Sequence, residues 1–306
     1  MDRVLVTGGA GFIGSHLVES LLDSGADVLV VDDFRLGKRE HLGSGPASRL
    51  TVIEGDIRSA GDLRPVADFA PDTVFHMAAL HFIPYCNAHP QEALDVNVLG
   101  LDTVIRAVRT APLKAFVFPS SGAIYGFGDE PWPETAPARP DEIYGISKWM
   151  GEQLMARCHA DRPGLRTVVA RLFNTYGPRE TNPHVLPEVM KALTAGKTIE
   201  LGNLWPQRDL IFVTDTAAGL VAAAQGGPGL EVFNVGTGTG TTIEDVMETI
   251  GEITGHPVDV RQVPERMRDG DGHLISDPEK LQATGWKPQY DLEAGLRALL
   301  ASEGLL

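Results

Sequence analysis

TGGAGFIG, residues 7–14, stands between a short β-branched run, RVLVT (3–7), and an amphipathic stretch over residues 13–22. Gly8, Gly11 and Gly14 recur at intervals of three. A glycine turn from strand into helix lets backbone approach a pyrophosphate, which then sits at the positive helix N-terminus, against Phe12 and Ile13. The spacing departs from the usual G-x-G-x-x-G, so its neighbours decide the reading. Asp32 closes the second run, DVLVVD (27–32), where an acid accepts hydrogen bonds from the adenosine ribose. A carboxylate there repels a 2′-phosphate, which favours NAD over NADP. Asp56 and Ile57, after the third run, are placed to meet the adenine, and Ala78 and Ala79 to lie near the pyrophosphate.

Working outward, LTVIEGD (50–56), DTVFHMAA (72–79) and KAFVFPSS (114–121) read as further buried strands, and TVVARLFN (167–174) as another. Between them lie helix-like stretches at 13–22, 60–69 and 92–108. This alternation implies an α/β fold, a doubly wound parallel sheet with helices on both faces. From about Tyr176 the chain becomes richer in Pro and Gly, with shorter elements. The expected division is an NAD-binding unit over residues 1–175, with returns around 205–240, and a smaller interleaved C-terminal lobe over 176–306.

The formal charge of −15 opposes nucleic acid or an anionic membrane as partner, since both demand basic patches. No apolar run reaches transmembrane length, and the start, MDRVLVTGG, lacks the pattern of a signal peptide. Cys86 and Cys158 give neither a disulfide framework nor zinc spacing. The expectation is a reduced, cytoplasmic protein without a metal.

A second set of residues carries chemistry. In YGISK (144–148), Tyr144 and Lys148 stand four residues apart, on one face of a helix. Free tyrosine, with a pKa near 10, is a poor base at neutral pH. A neighbouring ammonium, together with a positive nicotinamide ring, favours phenolate and is expected to lower that value. Ser121, in SSGAIYG (120–126), can hold a substrate hydroxyl against the tyrosine.

With these motifs in register, the chain resembles the extended short-chain dehydrogenase/reductases of the nucleotide-sugar epimerase and dehydratase group. The resemblance runs through TGGAGFIG, Asp32, HMAA, DVNVLG with Asn97, SSGAIYG, YGISK, RLFNTYGP and QRDLIFVTD, essentially the whole chain. It implies a Rossmann domain holding NAD, with Asn97 in the cofactor set, and a C-terminal lobe gripping a nucleoside-diphosphate sugar. It makes Tyr144 the base, Lys148 its electrostatic helper and ribose partner, and Ser121 the substrate-hydroxyl ligand. It places Asn174 near the sugar and diphosphate, and Arg208 on the diphosphate, a contact suited to guanidinium geometry. Arg266 and Asp269, in PERMRDGD, stand where relatives carry an arginine for phosphate and an acid for ribose, although the local spacing differs. The resemblance also implies a homodimer through helices after Glu92 and around Tyr144.

Family enzymes first oxidise the sugar at C4 and diverge afterwards. Dehydratases carry an Asp-Glu pair after the serine, whereas this chain has Gly122 and Ala123, which neither donate nor accept a proton. That favours 4-epimerisation, of a UDP-hexose above other sugars. The segment ALHFIPYCNAHPQEA (79–93) reads as a loop beside the sugar pocket, in which His81 and Tyr85 are candidate substrate contacts. If either works as an acid or base, a dehydratase or another modifying enzyme of the group is the alternative. A non-catalytic NAD-binding protein is the rival from another class, and the intact Ser121, Tyr144 and Lys148 speak against it.

Overall fold

The β-branched runs become the inner strands of a parallel sheet because their side chains can be buried on both faces. The computed structural model describes residues 1–43, 48–267 and 272–306. In the first half lie β1 (Arg3–Thr7), α1 (Phe12–Asp23), β2 (Asp27–Asp32), β3 (Leu50–Glu54), α2 (Pro65–Phe69) and β4 (Thr73–His76). Next come α3 (Ile83–Ala88), α4 (Pro90–Leu94), a π-helical turn (Asp95–Leu99), α5 (Gly100–Ala107), β5 (Ala115–Ser121) and α6 (Ile143–Asp161). β6 (Arg166–Leu172), β7 (Asn174–Tyr176), α7 (Val185–Thr194), β8 (Ile199–Leu201) and β9 (Arg208–Phe212) follow. α8 (Val213–Ala224), β10 (Gly229–Val235), β11 (Gly240–Thr241), α9 (Ile243–Thr254) and β12 (Val260–Gln262) precede two final helices.

The main sheet has seven parallel strands in the order β10-β6-β5-β4-β1-β2-β3. Leu17, Val18 and Leu21 of α1 and Ala217 and Leu220 of α8 pack on one face. Leu101 and Val104 of α5 and Met155 and Cys158 of α6 pack on the other. Strand order reverses between β1 and β4, which opens a crevice at the carboxyl ends of the strands, the place where ligands bind in such sheets. A three-stranded sheet (β11-β9-β7), the β12-β8 pair, α7 and α9 enclose a separate core around Val189, Val213, Val246 and Leu296. No helix among the described residues is long and apolar enough to cross a membrane.

Three sequence expectations change. TVVARLFN is not one strand: after Leu172 the chain leaves the main sheet, and Asn174 pairs with Leu210 of β9 instead. The stretch at 60–69 is helical only over Pro65–Phe69. Residues 79–93 are not a loop but contain α3 and α4, each started by a proline in its first turn, where the missing N–H costs nothing.

Candidate active site

A cavity of about 960 Å³ runs from the glycine turn, past the ends of β4 and β5, to α7 and β9. At one end the backbone of residues 7–14 comes into contact with itself and with β4. Gly8 has φ +68°, and a Cβ there would lie 2.6 Å from the Ala78 nitrogen. A Cβ on Gly14 would lie 2.1 Å from the Gly8 carbonyl oxygen. Gly11 caps α1, whose first turn has no acidic side chain, so its unpaired amides meet the cavity beside Phe12 and Ile13. These features fit a dinucleotide pyrophosphate: the room is that which side chains would fill, and the field favours an anion.

Asp32 lines the same end, 6% exposed. Its carboxylate accepts the Ala10 and Phe34 amides, each at 2.9 Å, while burial pushes its pKa up. Asp56, Ile57, Ala78 and Ala79 also face the cavity. The Asp56 carboxylate is taken by Arg58, which holds it below the usual carboxylate range. Asn97 does not line the cavity. Its side chain accepts the Leu80 amide (2.8 Å) and donates to the Leu80 carbonyl (2.8 Å) and Ser147 Oγ (2.9 Å), so it ties the π-helical turn to the chain end of β4 and to α6.

Ser121, Tyr144 and Lys148 converge at the middle of the cavity. Ser121 Oγ accepts the Ala123 amide at 3.1 Å and is hydrogen-bonded to the Tyr144 hydroxyl. Lys148 Nζ donates to the Pro119 carbonyl at 2.7 Å and lies 5.9 Å from the centre of the Tyr144 ring. The protein's own groups do not lower the tyrosine. Burial pushes Tyr144 up to about 12, against the opposing bond from Ser121, and pulls Lys148 down to about 8. Lys148, even at about 8, keeps its proton at neutral pH and so stands beside Tyr144 as an ammonium.

The 79–93 segment resolves into an inner and an outer face. His81 lines the cavity; its Nε2 meets Asn182 Nδ2 at 2.7 Å, and the ring is also bonded to the Ala79 carbonyl. Burial pulls it down to about 4, so the ring is neutral with both nitrogens engaged. Tyr85 is not in the cavity. The turn of α3 carries it outward, where it stacks on His89 at 4.2 Å and bonds Glu92 Oε2 (2.6 Å) and Arg35 Nη2 (2.5 Å). Ile83 and Pro84 face the cavity in its place.

Asn174 is exposed to the far end of the cavity, with Arg208 and Arg266 in its wall. Arg208 donates to the Gly272 carbonyl (2.7 Å) and stacks over Phe127 at 4.7 Å. Arg266 donates to the Glu200 carbonyl at 2.5 Å. Asp269 lies outside the described residues. The sequence alone assigns no role to Glu180 and His184, yet both line the cavity and are hydrogen-bonded to each other. The His184 ring is 5.9 Å from His81 and 5.6 Å from Phe82, and burial pushes Glu180 up. Neither lies within a helix, since α7 begins at Val185, so no periodic spacing in the sequence could have paired them.

Residues 4–236 match the family model described as NAD dependent epimerase/dehydratase family. This chain belongs to that family. Its relatives include the UDP-glucose 4-epimerase of Rhizobium leguminosarum bv. trifolii, 34% identical, with 97% of this chain and 96% of that one covered. The UDP-glucose 4-epimerase of Thermus thermophilus, crystallised in complex with NAD, superposes with a TM-score of 0.89 at 33% identity, covering 99% of each chain. The UDP-glucose 4-epimerase of Thermotoga maritima, crystallised with UDP-glucose, gives 0.89 at 32% identity, covering 99% of this chain and 98% of that one. For this family member, the glycine turn and the Ser-Tyr-Lys set therefore share one cavity on a fold common to those enzymes.

Proposed function

We propose that this protein catalyses the NAD-dependent 4-epimerisation of a nucleoside-diphosphate sugar, a UDP-hexose, through a transient 4-keto sugar. The observation that carries the reading is the wall around the Ser121–Tyr144 pair. Gly122 and Ala123 offer no proton-transfer group, and His81 has both ring nitrogens engaged. Gly122 is also tightly packed: a Cβ there would lie 3.2 Å from the Phe173 ring, which would have to give way to a larger residue. The relatives named above support UDP-glucose as the parent substrate.

Oxidised NAD, when bound, supplies the hydride acceptor and later donor for C4, and a positive charge beside the phenol. Gly8, Gly11 and Gly14 admit its pyrophosphate and Asp32 its ribose. Lys148, one of whose N–H groups is held by Pro119, orients the ribose next to Tyr144. Tyr144 takes the proton from the C4 hydroxyl, which Ser121 holds in line, and returns it at the end of the cycle. A ketone beside Gly122 and Ala123 meets no side chain there to abstract the C5 proton or protonate a leaving hydroxyl. Return to the alcohol, on either face, is the path left. Asn174, Arg208 and Arg266 would hold the diphosphate.

A dehydratase reading rests on one observation, the Glu180–His184 pair in the same cavity. The purified protein, incubated in deuterated water with UDP-hexoses and UDP-uronates, separates the two. Unchanged mass, inverted C4 and no deuterium on carbon are expected; loss of water or carbon dioxide, or deuterium at C5, would overturn the epimerase. Tyr144→Phe should lower kcat by about 10²–10⁴-fold with NAD still bound. Turnover near that of the unmodified protein would remove Tyr144 as the base.

The finer architecture belongs to the same proposal. Residues 1–175, with the returns at 205–240, form the cofactor-binding unit and 176–306 the substrate lobe. A second copy docks on α6 and the turn before α5, where Leu99 (58%), Trp149 (41%) and Met150 (39%) are exposed. Two free, buried cysteines support a reducing, cytoplasmic setting.

A further inference from the structure

On α6, Tyr144, Lys148 and Glu152 follow one another at intervals of four and so share one face of the helix. Opposite them, three consecutive residues at the end of β5 supply the partners. Ser121 is bonded to Tyr144, the Pro119 carbonyl accepts Lys148 Nζ at 2.7 Å, and Ser120 Oγ donates to Glu152 Oε1 at 2.6 Å. Two of these rungs are the catalytic set. The third has no contact with the cavity on the Glu152 side, and it is the one anchored elsewhere.

Glu152 is gripped by Arg171 of β6, whose Nε and Nη2 donate to its two oxygens at 3.0 and 2.8 Å, with side chains 7% and 8% exposed. Arg171 is fixed in turn: Nη1 donates to Tyr125 Oη (2.7 Å) and to the Glu134 carbonyl (2.9 Å). Tyr125 then donates to Asn234 of β10 at 2.8 Å. Meanwhile Gly151 lets α6 lie directly on the strand, since a Cβ there would be 2.3 Å from the Phe118 ring. Closer approach of the helix to the sheet is thus already limited by contact. Sliding or rolling along its axis is limited by directional bonds, which apolar packing does not supply.

We propose that Glu152 is a positioning residue for the reaction: its buried ion pair with Arg171, tied to Ser120, sets the register of α6 on β5 and so the alignment of Tyr144 with Ser121. The inference rests on the reading of Tyr144 as the base. A displacement of about 1 Å at reacting groups costs on the order of a hundredfold in rate, so a loosened rung should be read in kcat more than in KM. It should also be read in pH dependence. The bond from Ser121 favours the phenolate, so weakening it raises the pH at which the phenol ionises. Lys148 on the same helix, Cys86 and Tyr85 on α3 and Ser121 on β5 are titratable and polar groups near Tyr144 among the described residues, and none is altered in the test.

The test compares Glu152→Gln and Ser120→Ala with Val66→Ala, a buried-core change in α2, outside the helix and strands that carry the rungs, which sets the effect of lost stability alone. Ser120→Ala leaves the Glu152–Arg171 pair intact, so it carries the test if Glu152→Gln does not fold. Each rung variant should retain NAD, lose about ten- to a hundredfold in kcat with KM within twofold, and show the rising limb of its pH profile moved to higher pH. Val66→Ala should lower Tm without either change. If the rung variants lower Tm only, with kcat and the limb unmoved, Glu152 is structural and the proposal fails. Tyr144→Phe is measured alongside: if it stays active, the base assignment fails, whatever the rung variants do.

Discussion

The ring of His81 sits in the cavity wall with one nitrogen against Asn182 and a bond to the Ala79 carbonyl. Burial holds it near 4, and holds His76, which is bonded to Thr7 Oγ1 at 2.9 Å, near 3, both below the ordinary 6.5. In the unfolded chain each imidazole takes up a proton at its ordinary value, whereas the folded protein resists it. Their contribution to stability is therefore complete above about pH 6.5 and is lost as the pH falls toward 4 and then 3. Melting curves between pH 7 and 4 should show His81→Gln losing less Tm than the unmodified protein; parallel curves would mean that His81 is protonated in the folded state. The sequence could place His81 and Tyr85 near the sugar but not choose between them, because residues read as a loop have no face. Once Pro84 starts α3, position 85 points outward, and its hydroxyl goes to Glu92. Tyr144 shows the opposite limit: its partners were legible from spacing, but its protonation was not. The depth of burial that pushes it up to about 12 is a property of the whole cavity.

At the scale of elements, the strands of the first half and α1 were legible because buried parallel strands and an amphipathic helix each leave a periodic mark. The break between β6 and β7 was not, since RLFNTY keeps the texture of a strand while changing sheets. Nor was the strap across the cofactor end. Arg35, after β2, reaches Glu92 of α4 and the Tyr85 hydroxyl of α3, joining the segment after β2 to the helices after β4. Arg35 also lines the cavity itself. A strap of exposed charges is weak, so its effect should be kinetic and salt-sensitive. Glu92→Gln should speed NAD release by about two- to fivefold at low salt, with little difference at high salt. Loading the site with the reduced cofactor, whose nicotinamide fluoresces, and following its release measures it, and equal release at low salt would show that the strap does not retain the ligand.

For the whole molecule, the apolar patch formed by Leu99, Trp149 and Met150 is the surface expected to meet a second copy. Light scattering at micromolar concentration should give twice 32.9 kDa for the unmodified protein and the single-chain mass for Leu99→Asp. A single-chain mass before mutation would remove the dimer. Its main consequence would fall on α6, whose inner face carries Tyr144, Lys148 and Glu152. From the sequence two regions are expected, with returns to the first around residues 205–240. β10 enters the main sheet beside β6 only after the chain has made β7, α7, β8 and β9 outside it. Asn174 and Arg208, which face the cavity from that outer part, thus lie between segments that the sheet cannot do without. Such a chain cannot exchange that outer part whole, as a cassette, by recombination at one or two crossovers. Changes confined to residues or loops around the cavity are the ones that leave the inherited order of strands intact.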